Sequence, residues 1–159
     1  MSENRNEKCS IVVFSGDMDK VMAAFIIATT GAAMGRETSM FFTFWGIKAI
    51  QKGNLTGQGF FGRMLGLMNR GGIDRIGPSR FNFGGLGRWM LKKMMRDKGT
   101  TSLPELRQTA IDLGVKLLAC QMSMDVMEIA REDLIDEVDD IVGAATYCNN
   151  ALQGQALFI

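Results

Sequence analysis

Short runs of β-favouring apolar residues alternate with helix-like segments, and this alternation limits the fold more than any other feature of the sequence. Five such runs are present, at residues 9–15, 38–44, 115–120, 138–142 and 156–159. Strands without a regular polar alternation are typical of a parallel sheet that is buried on both faces. We therefore predict an α/β fold: a flavodoxin-like parallel sheet of about five strands with helices on both faces.

Helix signals fill most of the gaps between these runs. Asp17 precedes a long apolar helix over residues 18–34, and its carboxylate is expected to cap the start of that helix. Ser102 and Glu105 have the spacing of a capping box, which begins a helix that ends at about Leu113. Three shorter helical segments are predicted, over residues 45–52, 122–129 and 143–152.

The middle of the chain differs in composition from both ends. Between residues 60 and 99 there are nine Lys and Arg against two Asp, and 11 of the 19 glycines lie between Gly53 and Gly87. We interpret residues 1–159 as one domain that carries a basic, helical insert at about 53–100 (the insert), with short helices over 60–69 and 86–97. Residues 100–159 have ten acidic and three basic residues. The insert is therefore expected to pair with this acidic segment, within the chain or across a subunit interface.

Several classes of function are excluded by what the chain lacks. It contains no histidine, which removes Ser-His-Asp and Cys-His nucleophilic pairs and histidine metal ligands. We expect no metal, no cofactor and, at a net charge of +1 without an aromatic-and-basic RNA motif, no nucleic-acid partner. Three cysteines without a CxxC, a polar start over residues 1–8 and the absence of a long apolar stretch favour a cytoplasmic protein without membrane association.

Cys120 is the candidate catalytic residue, because it lies where the third strand ends and a helix begins. In such folds ligands and reactive groups lie at the carboxyl ends of the strands, and the amides at a helix start favour a thiolate. The alternative is that Cys120 packs as a small buried hydrophobe. Cys9 and Cys148 are interpreted as packing residues. The candidate rim residues at neighbouring strand ends are Ser15, Gly16, Asp17, Trp45, Gln121, Met122 and Ser123.

Four segments together make the chain resemble the DsrE/DsrF-like family, and most closely its larger branch, which carries the name peroxiredoxin-like. They are IVVFSGD (11–17), FFTFWG (41–46), GVKLLACQMS (114–123) and DIVGAATY (140–147). The resemblance implies a small α/β domain that forms trimers or hexamers. It also implies that a cysteine at the position of Cys120 receives sulfane sulfur, as a persulfide or a thiosulfonate, and passes it to TusA-like or rhodanese-like proteins.

The function expected from the resemblance is thus that of a sulfur carrier or sulfurtransferase that uses Cys120. Two alternatives from other classes stay open. The chain is a non-enzymatic oligomeric interaction subunit that binds partners through its Met- and Arg-rich insert, or it binds a nucleotide or flavin at the same strand ends. A fully buried Cys120 thiol would favour the interaction subunit.

Overall fold

A computed structural model describes residues 8–151 and 154–159, and five parallel strands run through its centre. Along the sheet the strands follow the order β4-β3-β2-β1-β5, with every neighbouring pair parallel. Their bounds are β1 Lys8–Val13, β2 Glu37–Phe42, β3 Lys116–Cys120, β4 Asp140–Val142 and β5 Gln155–Phe158. The predicted α/β, flavodoxin-like sheet of about five strands is therefore confirmed.

Six α-helices surround the sheet, and their bounds are close to those predicted. They are α1 Met18–Ala33, α2 Phe60–Met68, α3 Leu86–Asp97, α4 Leu103–Asp112, α5 Gln121–Met127 and α6 Ala144–Ala151. The capping box of Ser102 and Glu105 is present at the start of α4. The segment after β2 forms a 3-10 helix over Phe44–Ile50. Leu152, the predicted last residue of α6, lies outside the described residues.

The prediction that the Asp17 carboxylate caps the start of α1 is wrong, although Asp17 does precede the helix. Asp17 occupies the N-cap position, but its side chain makes no capping hydrogen bond. Its carboxylate instead accepts hydrogen bonds from the Ser15 hydroxyl and the Lys20 ammonium, while the amide of Met18 donates to the carbonyl of Gly77. The insert therefore contacts the start of α1 directly.

The two faces of the sheet have different cores. Ile11, Met40 and Leu117 lie in the larger cluster, together with apolar residues of α1 and α4. On the opposite face a smaller cluster contains Phe41, Leu118, Cys120, Tyr147 and Ala151, the last two from α6. Because side chains alternate along a strand, Cys120 points to the α6 face while its neighbour Ala119 points to the larger core.

The insert leaves the sheet after β2 and returns at α4, so both of its ends lie at the carboxyl edge of the sheet. Arg107 of α4 donates to the carbonyl of Ala49, which joins the two ends. The amide of Lys52 donates to the carbonyl of Asp133, and the side chain of Asn54 donates to the Asp133 carboxylate. The segment after α5 thus holds the first part of the insert in place.

Among the described residues, no Lys or Arg of 53–100 forms an ion pair with an acidic residue of the last third, although Lys52, directly before the insert, pairs with Asp136 at 2.9 Å. Among the described residues, the ion pair of an insert cation joins Lys92 to Asp74, and both belong to the insert. Acidic side chains of the last third contact the insert through its amides instead: one oxygen of Glu128 accepts from Gln58 (2.5 Å) and Gly59 (2.8 Å). Within the described ranges, no helix is both long and apolar enough to cross a membrane.

Candidate functional site

Cys120 lies at the junction of two elements, as the last residue of β3 and the N-cap residue of α5. Its strand neighbour on β4 is Val142, and on the other side β3 pairs with β2, which ends one residue before Thr43. The chain turns from an extended strand into a helix at this residue. The thiol therefore lies at the carboxyl edge of the sheet, beside the first amides of α5.

Hydroxyl and amide groups near Cys120 influence the pKa of its thiol. Burial raises the pKa of this thiol, but hydrogen bonds from Ser123 (side chain and amide), the Thr43 hydroxyl and the Met122 amide lower it, so that the pKa lies below its ordinary value. Donors favour the charged form of the group they contact. The lowering comes from these hydrogen bonds and not from a neighbouring cation.

Thr43 and Ser123 form a pair of hydroxyls beside the sulfur. Their oxygens are 2.8 Å apart, and Ser123 is fully buried. Phe44, the next residue after Thr43, adopts a φ of 45°, which is uncommon for a residue with a side chain and turns the chain from β2 into the 3-10 helix. Sequence analysis included Ser123 in the rim but missed Thr43. One feature of the sequence could have identified Thr43: its polar side chain stands in an otherwise apolar run at the end of the second strand.

The other neighbours of Cys120 are apolar and nearly close the site. The rings of Phe41 and Tyr147 stack with centroids 4.6 Å apart, and both residues belong to the same cluster as Cys120. Cys120 itself is only 4% exposed. Burial raises the pKa of Tyr147 to about 12, and the nearby Ser10 side chain opposes this rise. The thiol thus lies between polar donors at one side and an aromatic wall at the other.

The rim residues from the first two strand ends contact each other. A Cβ on Gly16 would lie 2.6 Å from the carbonyl oxygen of Trp45, so the absence of a side chain at Gly16 allows the two loops to meet. Ser15 and Asp17 exchange hydrogen bonds of 3.0 and 3.1 Å. The hydrogen bonds to the Cys120 sulfur come from other residues. A role of Ser15, Gly16, Asp17 and Trp45 in the rim stays a prediction.

Gln121 and Met122 directly follow the thiol in α5. The Gln121 side chain is exposed and donates to Asp125 one turn further along the helix, at 2.7 Å. Met122 contributes its amide to the Cys120 sulfur while its side chain is exposed. These two side chains therefore lie on the outer surface of the helix that carries the thiol at its start.

The other two cysteines lie apart from this site. Cys9 belongs to the larger core on the opposite face of the sheet, and burial raises the pKa of its thiol. Cys148 is exposed on α6, so its interpretation as a packing residue is wrong, whereas that of Cys9 agrees with its burial. Within residues 8–151 and 154–159, no three His, Cys, Asp or Glu side chains are grouped closely enough to hold a metal ion.

Comparisons with known proteins agree with this architecture. The chain is 41% identical over 158 residues to the uncharacterized protein YrkE of Bacillus subtilis (strain 168), and the match covers 98% of each chain. It is 32% identical over 148 residues to the sulfur carrier protein DsrE2 of Allochromatium vinosum, which covers 89% of this chain and 90% of that protein.

A solved structure shows a similar fold at low sequence identity. The ychN protein from E. coli superposes with a TM-score of 0.54 at 11% identity, over 96% of this chain and 97% of that one. The sequence model of the DsrE/DsrF/DrsH-like family matches residues 5–159, which is nearly the whole chain. With the five-stranded parallel sheet and a cysteine at the end of β3, this chain belongs to the DsrE/DsrF/DrsH-like family.

Proposed function

We propose that this protein is a sulfur carrier that binds a sulfane sulfur on Cys120 as a persulfide and transfers it to a partner protein. The observation that carries this function is the group of hydrogen-bond donors, from Thr43, Met122 and Ser123, that lowers the pKa of the thiol. The name of the A. vinosum relative, a sulfur carrier protein, supports the same general role. Thiolate is the nucleophile in sulfur transfer, and this site favours it without a histidine.

The transfer step is a thiolate exchange. The Cys120 thiolate attacks the outer sulfur of a donor persulfide, R–S–SH. A new S–S bond forms to Cys120 while the S–S bond of the donor breaks, and the donor leaves as the thiolate R–S⁻. The proton stays on the transferred sulfur or exchanges with water, and no external oxidant or reductant is needed. The reverse sequence, with an acceptor thiolate, unloads the protein.

The surroundings favour a persulfide over a thiosulfonate. A thiosulfonate carries an added SO3⁻ group, one sulfur with three oxygens and a negative charge, on the cysteine sulfur, and this group requires space and cations or further donors. Cys120 has aromatic and aliphatic neighbours in Phe41, Tyr147 and Val142, and no cation contributes to its lowered pKa. One added sulfur atom requires far less room and can be stabilised by the donors already present.

A nearly buried thiol requires a local opening before a donor can reach it. Cys120 is 4% exposed, so side chains at the start of α5 must move during transfer. A short helix is suited to such a movement, because α5 has only seven residues. Transfer through this opening requires a donor whose sulfur can reach Cys120, and we propose a TusA-like or rhodanese-like protein as that donor. Assembly into a homotrimer or hexamer is part of the same proposal.

Mass spectrometry of the intact protein tests the loading of Cys120. After incubation with polysulfide, or with thiosulfate and a sulfurtransferase, the protein is expected to gain the mass of one sulfur atom in a reductant-sensitive form. Cys120→Ser removes this gain, whereas Cys9→Ser and Cys148→Ser keep it; Cys9 is the buried control thiol and Cys148 the exposed one. A gain that survives in Cys120→Ser contradicts the assignment.

The hydroxyl pair provides a second test, through pH dependence. Thr43→Val and Ser123→Ala each disrupt the hydroxyl pair beside the Cys120 sulfur, so we expect the pKa of the thiol to rise. The rate of alkylation by iodoacetamide then falls at pH values below the ordinary thiol pKa, by about tenfold for one pKa unit, and recovers at higher pH. Peptide mapping assigns the rate to Cys120. A pH profile that does not move in either variant rejects the role of the hydroxyls.

An interaction subunit without sulfur chemistry is the second candidate, and the burial of Cys120 favours it. In that case the insert binds the partner and the thiol is a packing residue. Deletion of residues 54–99 then abolishes partner binding while Cys120→Ser leaves both binding and cellular function intact. The sulfur-carrier function makes a different prediction for Cys120→Ser: the partner still binds, but it receives no sulfur and the cellular function is lost.

A further inference from the structure

The helix that begins at Cys120 ends at a glutamate with an uncommon backbone conformation. Glu128 directly follows α5 and has a φ of 51° and a ψ of 46°, which is the left-handed region. The amide of Ile129 donates to the carbonyl of Met124 and closes the end of the helix. Glycine is the usual residue at such a position, because a side chain is strained there. A glutamate at this position therefore indicates a use for its carboxylate.

The Glu128 carboxylate binds the start of α2. One of its oxygens accepts from the amides of Gln58 (2.5 Å) and Gly59 (2.8 Å), which lie directly before that helix. A Cβ on Gly62 would overlap with the same oxygen, so the carboxylate lies against the first turn of α2. The amides at a helix start carry a partial positive charge that attracts a carboxylate. Glu128 thus joins α5 to α2.

The helix α2 is a fixed attachment point for this carboxylate. Its residue Leu65 packs against the larger core. A Cβ on Gly66 would overlap with the carbonyl of Thr56, so this part of the helix lies close against the preceding segment of the insert. Because α2 is held by contacts of its own, its hydrogen bonds to Glu128 restrain the far end of α5.

The two ends of α5 belong to one short element. The helix has seven residues and is about 10 Å long, so a shift at Glu128 is transmitted to its first turn. That turn contains Met122 and Ser123, whose amide and hydroxyl groups lower the pKa of the Cys120 thiol. It also holds the Ser123 hydroxyl 2.8 Å from that of Thr43. The position of α5 therefore determines both the cover and the hydrogen-bond donors of the thiol.

We infer that Glu128 is a positioning residue for Cys120: it binds the start of α2 and thereby holds α5 in the position that covers the thiol. Loss of this contact lets α5 move, which exposes the sulfur and takes Met122 and Ser123 away from it. A partner that displaces α2 from Glu128 opens the site by the same movement. The use of this movement in sulfur transfer rests on the proposed function, whereas its effect on the thiol does not.

Alkylation of the full chain by iodoacetamide tests the positioning, with peptide mapping to follow each cysteine separately. Glu128→Gly removes the carboxylate and suits the left-handed backbone better than glutamate does. Above the ordinary thiol pKa, we expect its Cys120 to react about three- to tenfold faster than in the wild type, because α5 opens more often. The pH profile of the reaction also moves to higher pH, because donors leave the sulfur.

A second variant tests the same contact from the side of α2. Gly62→Ala leaves Glu128 in place but puts a methyl group where its carboxylate lies, and the flexible end of that side chain can move aside. We expect a change of Cys120 reactivity in the same direction. Glu132→Gln is the matched control, because it removes an exposed carboxylate just after α5 and should leave the Cys120 rate unchanged.

The other two cysteines are internal controls in every variant. Cys9 is buried in the larger core and reacts faster only if the whole fold loosens, whereas the exposed Cys148 reports the reagent itself. Neither rate should change. Circular dichroism verifies that the variants are folded.

Three results would overturn the positioning role. They are a Cys120 rate and pH profile that stay unchanged in both Glu128→Gly and Gly62→Ala, a Cys9 rate that rises in parallel with that of Cys120, and an equal effect of Glu132→Gln. Sulfur loading is measured separately from alkylation. A protein that gains no sulfur but shows the expected alkylation rejects the sulfur-carrier function alone, and normal loading with unchanged alkylation rejects the positioning alone.

Discussion

The helices α1 and α2 show two opposite uses of an apolar helix in one chain. In α1 the large apolar residues Val21 and Phe25 are fully buried against the sheet. In α2 the buried residues are two glycines, and five of the six large apolar residues are exposed, while Leu65 packs against the core. The first arrangement stabilises the fold, whereas the second leaves apolar side chains on the surface. An apolar stripe therefore identifies a helix, whereas the residues on its opposite face decide which side is buried.

The largest expected difference between the two regions is in stability. Phe25→Ala in α1 removes a fully buried ring that packs against Phe42 with centroids 6.1 Å apart, and we expect a loss of ~3–5 kcal/mol in the free energy of unfolding. Phe60→Ala in α2 removes a ring that is 79% exposed, for a loss below ~0.5 kcal/mol. Urea denaturation measures both. Equal losses would show that α2 is part of the core.

Substitution of a glycine tests the inward face of α2. Gly→Ala usually stabilises a helix by ~0.5–1 kcal/mol, but Gly66→Ala places a methyl group against the carbonyl of Thr56, and we expect a loss of ~1–3 kcal/mol. Gly143→Ala is the control, because no atom lies within 4 Å of its added Cβ. Hydrogen exchange of α2 and urea denaturation give the readout. A stabilised Gly66→Ala protein would contradict the close packing.

Alkaline pH is expected to weaken the sheet region first. The single tyrosine, Tyr147, has its pKa raised by burial to about 12, so the neutral form is favoured in the folded state. Its contribution to stability is complete below the ordinary value of 10.0 and is lost as pH rises toward about 12. Phenolate absorbance reports this one residue directly. If Tyr147 titrates at its ordinary pKa in the folded protein, its ring is exposed to water and the prediction is wrong.

Acidic pH has the smallest expected effect, and it is local to the insert. Hydrogen bonds from the amides of Gly59 and Gln58 lower the pKa of Glu128, so their contribution is present above the ordinary carboxyl pKa and is lost as pH falls below it. Glu128→Gln should increase hydrogen exchange at these two amides at neutral pH while the strands stay protected. Unchanged exchange at both amides would exclude this contact as the attachment of α2.

Sequence patterns predicted the helices and strands well, because the residues that start and end these elements lie close together in the sequence. The capping box at Ser102 and the span of α3 depend on residues a few positions apart, and both are found as predicted. Contacts between distant segments were not predictable in this way. Thr43 reaches Cys120 only because β2 and β3 are neighbours, and Glu128 meets Gln58 across 70 positions of sequence.

The strand pattern predicted the fold class, and the fold class predicted that Cys120 lies at the end of a strand. The burial of the Cys120 thiol did not follow from any sequence pattern. Strand ends were identified from composition, and parallel strands bring their carboxyl ends to one edge. How far a thiol is covered depends on Phe41 and Tyr147, which come from another strand and from α6. The hydrogen-bond partners of Asp17 were not predictable either. Its carboxylate was expected to accept from the first amides of α1, but it accepts from the side chains of Ser15 and Lys20.

Arg107 joins the two ends of the insert at Ala49, and this one hydrogen bond has an evolutionary consequence. The chain leaves and re-enters the sheet region at neighbouring points. The length and the amino-acid composition of the intervening segment can therefore change in evolution without shifting any strand.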